Sequence, residues 1–117
     1  MDISKIPLSP IVEHESLLIL SGQLAFTTPG VLVQGGIAEQ THQVMTNIAA
    51  ILKSRGAGLS DILKMTIWLT DKADFLGFNK AYGAFFEPGT YPARSTVVSQ
   101  LLIDGALIEI EAIAKKR

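Results

Sequence analysis

The clearest periodic signal in the chain is helical and lies in its first half. Between Ile37 and Leu52, apolar side chains recur at intervals of three and four residues, which places them on one face of a helix. Gly35-Gly36 precedes this pattern and Gly56 follows it. Because glycine is common at helix ends, the pattern predicts a helix over residues 37–55.

A second helix is predicted over residues 73–86. Four aromatic side chains recur there at helical spacing, and we expect them to form a stripe that faces the core: Phe75, Phe78, Tyr82 and Phe85. The segment that follows, residues 87–92, begins with Glu-Pro-Gly and ends with proline, so we expect a loop there.

Strict alternation of side chains identifies a central strand over residues 62–70. Met65, Ile67 and Leu69 form an apolar face, which we expect to pack against the helices. The opposite face is more polar, but it carries Trp68, a side chain that is costly to leave in water. We therefore predict that this tryptophan is partly buried against another subunit.

Further strands are predicted on both sides of this central unit. Residues 11–26 contain two short strands, and the Thr-Thr-Pro-Gly segment at residues 27–30 is a turn signal. Alternation predicts two more strands, over residues 94–102 and 106–114. Asp104-Gly105 lies between them and is typical of a hairpin, so we expect the last two strands to be hairpin neighbours.

The predicted order of elements, β-β-α-β-α-β-β, is that of an α+β domain with two helices on one face of a sheet. The chain has 117 residues, so we expect residues 1–117 to form a single domain. Hydrophobic residues make up 48 % of the chain and charged residues only 18 %, below the ~25 % of an average soluble domain. This apolar surplus and the uncovered sheet face favour an oligomer.

Charge and cysteine content exclude several classes of function. Ten basic and eleven acidic residues give a net charge of −1, whereas nucleic-acid-binding modules usually carry a strong basic excess. The chain has no cysteine, which excludes disulfides, thiolate zinc sites and a cysteine nucleophile. His14 and His42 lie in different elements without metal-ligand spacing, so we expect no metal site. With no recognisable leader and no apolar run near the ~20 residues of a membrane span, we expect a cytoplasmic protein.

One arginine and two glutamates are the candidates for chemistry. Arg94 begins a strand just after Pro92, and its guanidinium could hold a small carboxylic acid at a subunit interface; the alternative is an ordinary ion pair. Glu109 and Glu111 share a strand face, where repulsion between them can raise one pKa, as suits a general base. The alternative is an exposed acidic face, or ion pairing with Arg94 and Lys64.

A series of short motifs runs in order from Ser21 to Ala114. None is specific alone, but together they are. They are Ser21-Gly22-Gln23; Gln40-Thr41 with Gln43, Asn47 and Ile48; Gly58-Leu59-Ser60-Asp61-Ile62 with Lys64-Met65-Thr66; Asp74-Phe75 with Asn79 and Tyr82; Tyr91-Pro92-Ala93-Arg94-Ser95; and Ile108-Glu109-Ile110-Glu111-Ala112-Ile113-Ala114. With them the chain resembles the Rid family of reactive intermediate deaminases, also called the YjgF family, whose older label is L-PSP endoribonuclease.

The resemblance implies a chorismate-mutase-like fold and a homotrimer. Three sheets would surround a central barrel, with the helices outside and an active site at each subunit interface. The implied reaction is hydrolysis of a 2-imino acid, or its enamine tautomer, to a 2-keto acid and ammonia. It requires no metal and no cofactor.

The resemblance also implies roles for individual residues. Arg94 matches the arginine that binds the substrate carboxylate, and Glu109 matches the glutamate that orients the attacking water. Asn79 matches an asparagine of the cleft. Ser95 and Thr96 follow the arginine and are placed with it around the substrate.

Two departures from the family pattern bear on the substrate. Thr96 stands where typical deaminases have cysteine, and Ser9-Pro10-Ile11 stands where they have Gly-Pro-Tyr with a tyrosine in the cleft. Three other interpretations therefore stay open. They are a specialised catabolic deaminase for a larger unsaturated amino acid, a non-catalytic trimer that binds small carboxylic acids as a sensor or scaffold, and an endoribonuclease. The net charge argues against the last of these.

Overall fold

The computed structural model describes residues 5–117 of the chain. Seven strands and two helices make up this part. The strands are β1 (Ile11–His14), β2 (Leu17–Gln23), β3 (Phe26–Thr28), β4 (Val31–Leu32), β5 (Ile62–Leu69), β6 (Ala93–Val98) and β7 (Ile108–Lys115). The helices are α1 (Ile37–Lys53), between β4 and β5, and α2 (Phe75–Gly83), between β5 and β6.

Five of the strands form one mixed sheet in the order β1-β2-β7-β5-β6. The β5–β6 pair is parallel, and the other three pairs are antiparallel. Helix α1 packs on β7 and β2, and α2 packs beside α1. The predicted α+β class, with two helices on one face of a sheet, is confirmed.

Helix α1 begins where its sequence predicts and ends at Lys53, two residues before the predicted end. The Glu39 side chain accepts a hydrogen bond from the Gly36 N–H at 2.8 Å, so the first turn is capped. Gly56 has a φ of 73°, a left-handed conformation that glycine adopts without strain. The core-facing side chains of α1 are buried against the sheet: Gln40, Thr41, Val44, Met45, Ile48 and Leu52.

Helix α2 is shorter than predicted, and its aromatic stripe is only partly core. A 3₁₀ turn at Lys72–Asp74 precedes the helix. Phe78 and Tyr82 are buried, as expected. The expectation for Phe75 is wrong, because this side chain lies at the first helical position and is 41 % exposed. Phe85 lies beyond the end of the helix and is half-buried.

The predicted terminal hairpin is wrong. Strands β6 and β7 are not neighbours, because β5 lies between them. The chain leaves β6 with the Ser99 N–H donating to the Leu69 carbonyl, and before β7 the Leu107 carbonyl accepts from the Thr70 N–H. The segment with Asp104-Gly105 therefore crosses the end of β5, although it does turn at Gly105, whose φ is 84°.

A second difference lies before α1. The predicted turn at residues 27–30 is present, but it joins two short strands, β3 and β4, that form a separate hairpin. Gly30, with a φ of 81°, provides the left-handed residue of that turn. The alternation of side chains was too short there to identify strands from sequence.

The sheet face opposite the helices carries exposed apolar side chains. Ile19 and Val97 are 41 % and 47 % exposed, and Trp68 is half-buried. This open face is the one for which the sequence predicts a partner subunit. In the described part of the chain, neither helix is long and apolar enough to cross a lipid bilayer.

Candidate active site

Arg94 is held on the helix side of the sheet by α2. Its Cα partner on β5 is Met65, which points into the core. The guanidinium donates to Asn79 Oδ1 at 2.5 Å. Its Cζ lies 5.1 Å from the ring centres of both Phe78 and Tyr82. Hydrogen bonding and cation–π attraction therefore fix the head of this arginine.

The guanidinium of Arg94 keeps most of its hydrogen-bonding capacity. A guanidinium has five N–H donors, and here a single hydrogen bond, to Asn79, is made within residues 5–117. No ion pair to Arg94 forms in this part of the chain. The ordinary ion pair considered from the sequence is therefore not made within residues 5–117, and the remaining donors suit a bidentate carboxylate.

A pocket of about 300 Å³ opens beside this arginine. It is lined by Asn79, Tyr82, Gly83, Tyr91, Pro92 and Arg94. Its volume lies at the lower end of the ~300–1,000 Å³ range of small-molecule sites. Burial raises the pKa of Tyr82, and the nearby Arg94 charge lowers it; burial has the larger effect. The Tyr82 hydroxyl donates to Met65 Sδ at 3.3 Å, so this ring serves as a neutral wall.

Thr96 lies on the same sheet face as Arg94, two residues along β6. Its Cα partner is Ile67, a core residue. Its Oγ1 is buried and has no hydrogen-bond partner within the described residues. An unsatisfied buried hydroxyl costs about 1–3 kcal/mol, and the Thr41 hydroxyl in the core has no partner within the described residues either. Thr96 lines a second pocket of about 260 Å³, whose wall also includes Phe75.

Glu109 lies on the opposite, open face of the sheet. Its Cα partner on β5 is Trp68, whereas the partner of Arg94 is Met65, three residues earlier. Successive side chains of a strand point to opposite faces, so Glu109 and Arg94 are separated by the sheet. Burial raises the pKa of Glu109, and the negative charge of Glu111 raises it further.

Gly22 makes room for the Glu109 carboxylate. It lies at an irregularity in the pairing of β2 with β7. An added Cβ at Gly22 would overlap Glu109 Oε2. Glycine at this position therefore lets the Glu109 carboxylate keep its place, a role for the Ser21-Gly22-Gln23 motif that residue spacing alone does not reveal.

The structure brings together only part of the predicted site within one chain. Arg94, Asn79 and Thr96 lie on the helix side. Glu109 and Ser95 lie on the open side, where the Ser95 hydroxyl accepts a hydrogen bond from Lys64 Nζ at 3.1 Å. Alternation along β6 correctly grouped Arg94 with Thr96, but it could not say which face met the helices.

Sequence reasoning missed the aromatic surroundings of Arg94. Phe78 and Tyr82 were assigned to the core alone, yet both rings also contact the guanidinium. Their spacing in a helix gave no sign of that second role. Tyr91, 54 % exposed, places a phenol at the rim of the pocket. Ile11, at the position of the family's cleft tyrosine, is part of the core instead.

A metal centre has no donor set in the described residues. Between residues 5 and 117, no group of three or more histidine, cysteine, aspartate or glutamate side chains could hold a metal ion.

Fold and site together define a class: a small α+β protein whose half-buried arginine lines a pocket sized for a small molecule. The family profile described as Endoribonuclease L-PSP matches residues 3–116. The chain belongs to this family, which is the one that its motifs resemble.

Relatives of known name support the same assignment. The chain is 40 % identical over 111 residues to a RutC family protein of Pyrococcus horikoshii, covering 94 % of this chain and 87 % of the relative. It is 38 % identical over 109 residues to the 2-iminobutanoate/2-iminopropanoate deaminase of Bos taurus, covering 92 % and 79 % of the two chains.

Solved structures share the whole fold. The yeast protein YEO7 superposes with a TM-score of 0.90 at 35 % identity, over 97 % of this chain and 90 % of its own. RidA from an Antarctic Psychrobacter superposes with a TM-score of 0.86 at 33 % identity, over 95 % and 89 %.

Proposed function

We propose that this protein hydrolyses 2-imino acids, or their enamine tautomers, to 2-keto acids and ammonia. The observation that carries the proposal is the Arg94 guanidinium, which is fixed by Asn79 and two rings but has no carboxylate partner in the described chain. The deaminase name of the Bos taurus relative supports the reaction class. The unit that acts is proposed to be residues 1–117 as one domain, with no metal and no cofactor.

Arg94 binds the carboxylate of the substrate in this proposal. The two parallel N–H···O bonds of an arginine–carboxylate pair fix both the position and the plane of the substrate. Asn79 holds the guanidinium from the side of α2. Such positioning is worth several kcal/mol of barrier, because the imine is already electrophilic and needs only a placed water.

Glu109 is the proposed general base. The pKa of the Glu109 carboxyl is raised above its ordinary value and so lies closer to neutral pH. A general base is most effective when its pKa is near the pH at which it works. The water oxygen bonds to the imine carbon as the C=N π bond breaks toward nitrogen, and Glu109 takes one water proton and returns it to that nitrogen, which gives a carbinolamine. Glu109 then takes the hydroxyl proton of the carbinolamine and passes it to the amino group. The C–N bond breaks with its electrons on nitrogen, ammonia leaves, and the carbonyl of the keto acid forms.

Because Arg94 and Glu109 face opposite sides of one sheet, we propose that two copies of the chain form each site. Arg94, Asn79 and Thr96 come from one copy, and Glu109 comes from a neighbouring copy across the open face. The exposed Ile19 and Val97 are consistent with a homotrimer that covers this face. The unpartnered Thr96 hydroxyl then has a partner in the completed site, and Ser95 contacts the substrate through its backbone.

A competition assay tests the reaction. A threonine dehydratase or an amino-acid oxidase generates the imine, and semicarbazide competes with the protein for it. Wild-type protein is expected to suppress semicarbazone formation, and Arg94→Ala is expected to lose this effect while retaining its oligomeric mass. Arg55→Ala, which removes an exposed guanidinium paired with Glu13, is the matched control and should behave as wild type. Full activity of Arg94→Ala would contradict the proposal.

The same assay separates the alternatives. A sensor or scaffold would bind 2-keto acids saturably through Arg94 without hydrolysing any imine. A deaminase specialised for a larger unsaturated amino acid would act on few members of the imine panel. An endoribonuclease, which the family description names, would cleave RNA. Its RNA-cleaving activity would follow the main protein peak during chromatography. A net charge of −1 offers little attraction for a phosphate backbone.

A further inference from the structure

The second pocket, beside Thr96, lies next to the arginine pocket at the helix side of the sheet. It has a volume of about 260 Å³, and its walls are formed by Leu69, Lys72, Phe75, Thr96, Val97 and Val98. Thr96 lies two residues beyond Arg94 on β6, which is a displacement of ~6.6 Å along the strand. A small molecule that binds to the guanidinium is therefore long enough to extend into this pocket.

The ring of Phe75 joins this pocket to the arginine. The ring centre lies 5.9 Å from Arg94 Cζ, and the same residue lines the pocket. Phe75 is 41 % exposed at the first position of α2, so part of its ring is uncovered. An uncovered ring beside a bound carboxylate offers a contact surface for the methylene groups of a substrate side chain.

Lys72 is the charged residue of this pocket. Apart from Thr96, the other lining residues are apolar: Leu69, Phe75, Val97 and Val98. Within residues 5–117, the Lys72 ammonium forms no ion pair and no side-chain hydrogen bond. Because an ammonium has three N–H donors and no acceptor, the ligand group that it fits is an anion.

Two aspartates close to Lys72 in sequence do not take up its charge. Asp71 Oδ1 accepts a hydrogen bond from the Ala73 N–H at 2.8 Å and so caps the 3₁₀ turn. Neither Asp71 nor Asp74 lines the pocket or pairs with Lys72 within the described residues. The charged residue that β6 contributes is Arg94. Two cations near one cleft attract anionic substrates, although the net charge of the chain is −1.

We propose that Lys72 binds a carboxylate at the end of the substrate side chain, and that the preferred substrates are imines of dicarboxylic amino acids. This inference rests on the proposed function. The 1-carboxylate lies on Arg94, the methylene groups cross the Phe75 ring, and the second carboxylate accepts hydrogen bonds from the Lys72 ammonium. The reacting carbon, next to the 1-carboxylate, lies between Arg94 and Glu109 of the neighbouring copy. Imines with neutral side chains bind to Arg94 alone and therefore more weakly.

A neighbouring copy of the chain is the competing occupant of this pocket. Val97 and Val98 are 47 % and 55 % exposed, so an apolar surface is available for it. A copy that covered this surface with apolar side chains would bury the Lys72 ammonium without an anion, which is costly. A copy that supplied a carboxylate would instead make Lys72 a requirement for assembly, which is measurable as oligomeric mass.

Stable product analogues test the assignment by binding. 2-Oxoglutarate carries the second carboxylate, and 2-oxohexanoate has a similar length without it. Calorimetric titration of the intact oligomer at about 0.15 M salt, where attraction by distant charges is screened, is expected to give about tenfold tighter binding of 2-oxoglutarate. 5-Guanidino-2-oxopentanoate, which ends in a cation, is expected to bind most weakly of the three.

Lys72→Met removes the charge and keeps most of the length of the side chain. We expect kcat/KM for the glutamate-derived imine to fall about tenfold, and kcat/KM for the norleucine-derived imine to stay within about twofold of wild type. Lys72→Arg keeps the charge and should retain most of the activity on the acidic imine. The matched control is Lys80→Met, an exposed lysine of α2 that does not line the pocket. Amino-acid oxidases generate both imines for the semicarbazide assay.

The outcomes separate this inference from the proposed function. If 2-oxoglutarate binds preferentially through Lys72 but no imine is hydrolysed, the carboxylate subsite is supported and the proposed reaction fails. If imines are hydrolysed but 2-oxohexanoate binds as tightly as 2-oxoglutarate, or Lys72→Met lowers both rates equally, the subsite is wrong and the proposed reaction stands. The subsite is also wrong if Lys72→Met loses oligomeric mass, because Lys72 then pairs with a neighbouring copy.

Discussion

At the scale of single residues, a half-buried arginine lies at a position where no carboxylate within residues 5–117 pairs with it. The charge of Arg94 is stabilised by the oxygen of Asn79 and by ring faces, which attract a cation without neutralising it. A carboxylate beside it would form an ion pair and compete with an anionic ligand for the same charge. Asparagine at position 79 is therefore the feature that keeps the arginine available.

This argument predicts the effect of adding that carboxylate. Asn79→Asp places a negative charge within hydrogen-bond distance of the guanidinium, where it competes with the substrate. We expect KM for imines, or Kd for 2-keto acids, to rise about 10–100-fold with unchanged or higher thermal stability, because charge-assisted bonds are stronger. Asn79→Ala is the control, since it removes the hydrogen bond without adding charge. A smaller effect for Asp than for Ala would contradict the account.

Gly22 is a second position where the addition of one carbon atom is expected to change the candidate site. Gly22→Ala is expected to displace the Glu109 carboxylate, because the new Cβ would occupy its place. A displacement of about 1 Å in a catalytic group can lower the rate ~100-fold. The comparison is kcat/KM of Gly22→Ala and Gly58→Ala. Gly58 has open space around its Cβ position and no left-handed φ. Equal activities of the two variants would remove the steric role of Gly22.

At the scale of elements, periodicity predicted both helices and the five strands of the main sheet, but neither the β3–β4 hairpin nor the order of the strands. The alternation around Met65 and Trp68 correctly separated a buried face from a half-exposed one. Asp104-Gly105 was a real turn, yet the strands that it separates are not paired, because β5 fills the gap. Turn chemistry is local, whereas strand order depends on long-range pairing that no short segment encodes.

Sequence patterns predicted the candidate site only in part, as they did the fold. Motif resemblance identified Arg94, Asn79 and Glu109, and the structure places the first two in contact. The separation of Arg94 from Glu109 requires the register of β6 and β7 on β5, which sequence patterns did not provide. The aromatic surroundings of Arg94 likewise depend on where α2 crosses β6.

A 3₁₀ turn before β5 illustrates how an element end is stabilised. The buried Asp61 accepts hydrogen bonds from the Gly58 N–H at 2.9 Å and from Arg117, whose Nε lies 2.9 Å away. The Gly58 hydrogen bond lowers the pKa of Asp61 most, and Arg117 lowers it further, against the opposing effect of burial. These contacts link Arg117 to the turn that precedes strand β5.

Asp61→Asn is expected to lower the free energy of unfolding at pH 7 by about 1 kcal/mol, the usual worth of a helix-capping carboxylate. A depressed folded-state pKa means that the stabilisation is complete above the unfolded value and is lost as pH falls through the folded one. Urea unfolding should therefore separate wild type from Asp61→Asn at pH 7, and the difference should shrink as pH falls below the ordinary pKa of aspartate and through the lower folded-state value.

Arg117, the ion-pair partner of Asp61, provides a control for this prediction. Arg117→Ala removes only the half-exposed partner and should lose less than Asp61→Asn, because exposed ion pairs contribute about 0.2–1 kcal/mol. A stability difference between wild type and Asp61→Asn that grows toward low pH would contradict the assigned direction of the pKa shift.

At the scale of the whole molecule, one sheet presents two half-sites to opposite sides. The helix face carries the arginine pocket, and the open face carries Glu109 beside Trp68. In the proposed function, neither half alone completes a site for imine hydrolysis. A closed ring of copies, in which the open face of one chain meets the β6 edge of the next, would pair every arginine with a glutamate.

Mixing two inactive variants tests this central claim most directly. Arg94→Ala and Glu109→Gln are each expected to lose imine hydrolysis. When equal amounts are co-expressed and assemble at random, about a quarter of the interfaces join an intact Arg94 to an intact Glu109, because the two come from different copies. Activity should therefore recover to about a quarter of the wild-type value in the mixed oligomer. It should not recover when the two variants are assembled separately and then combined under conditions in which their subunits do not exchange. No recovery in verified mixed oligomers would contradict a site shared between copies.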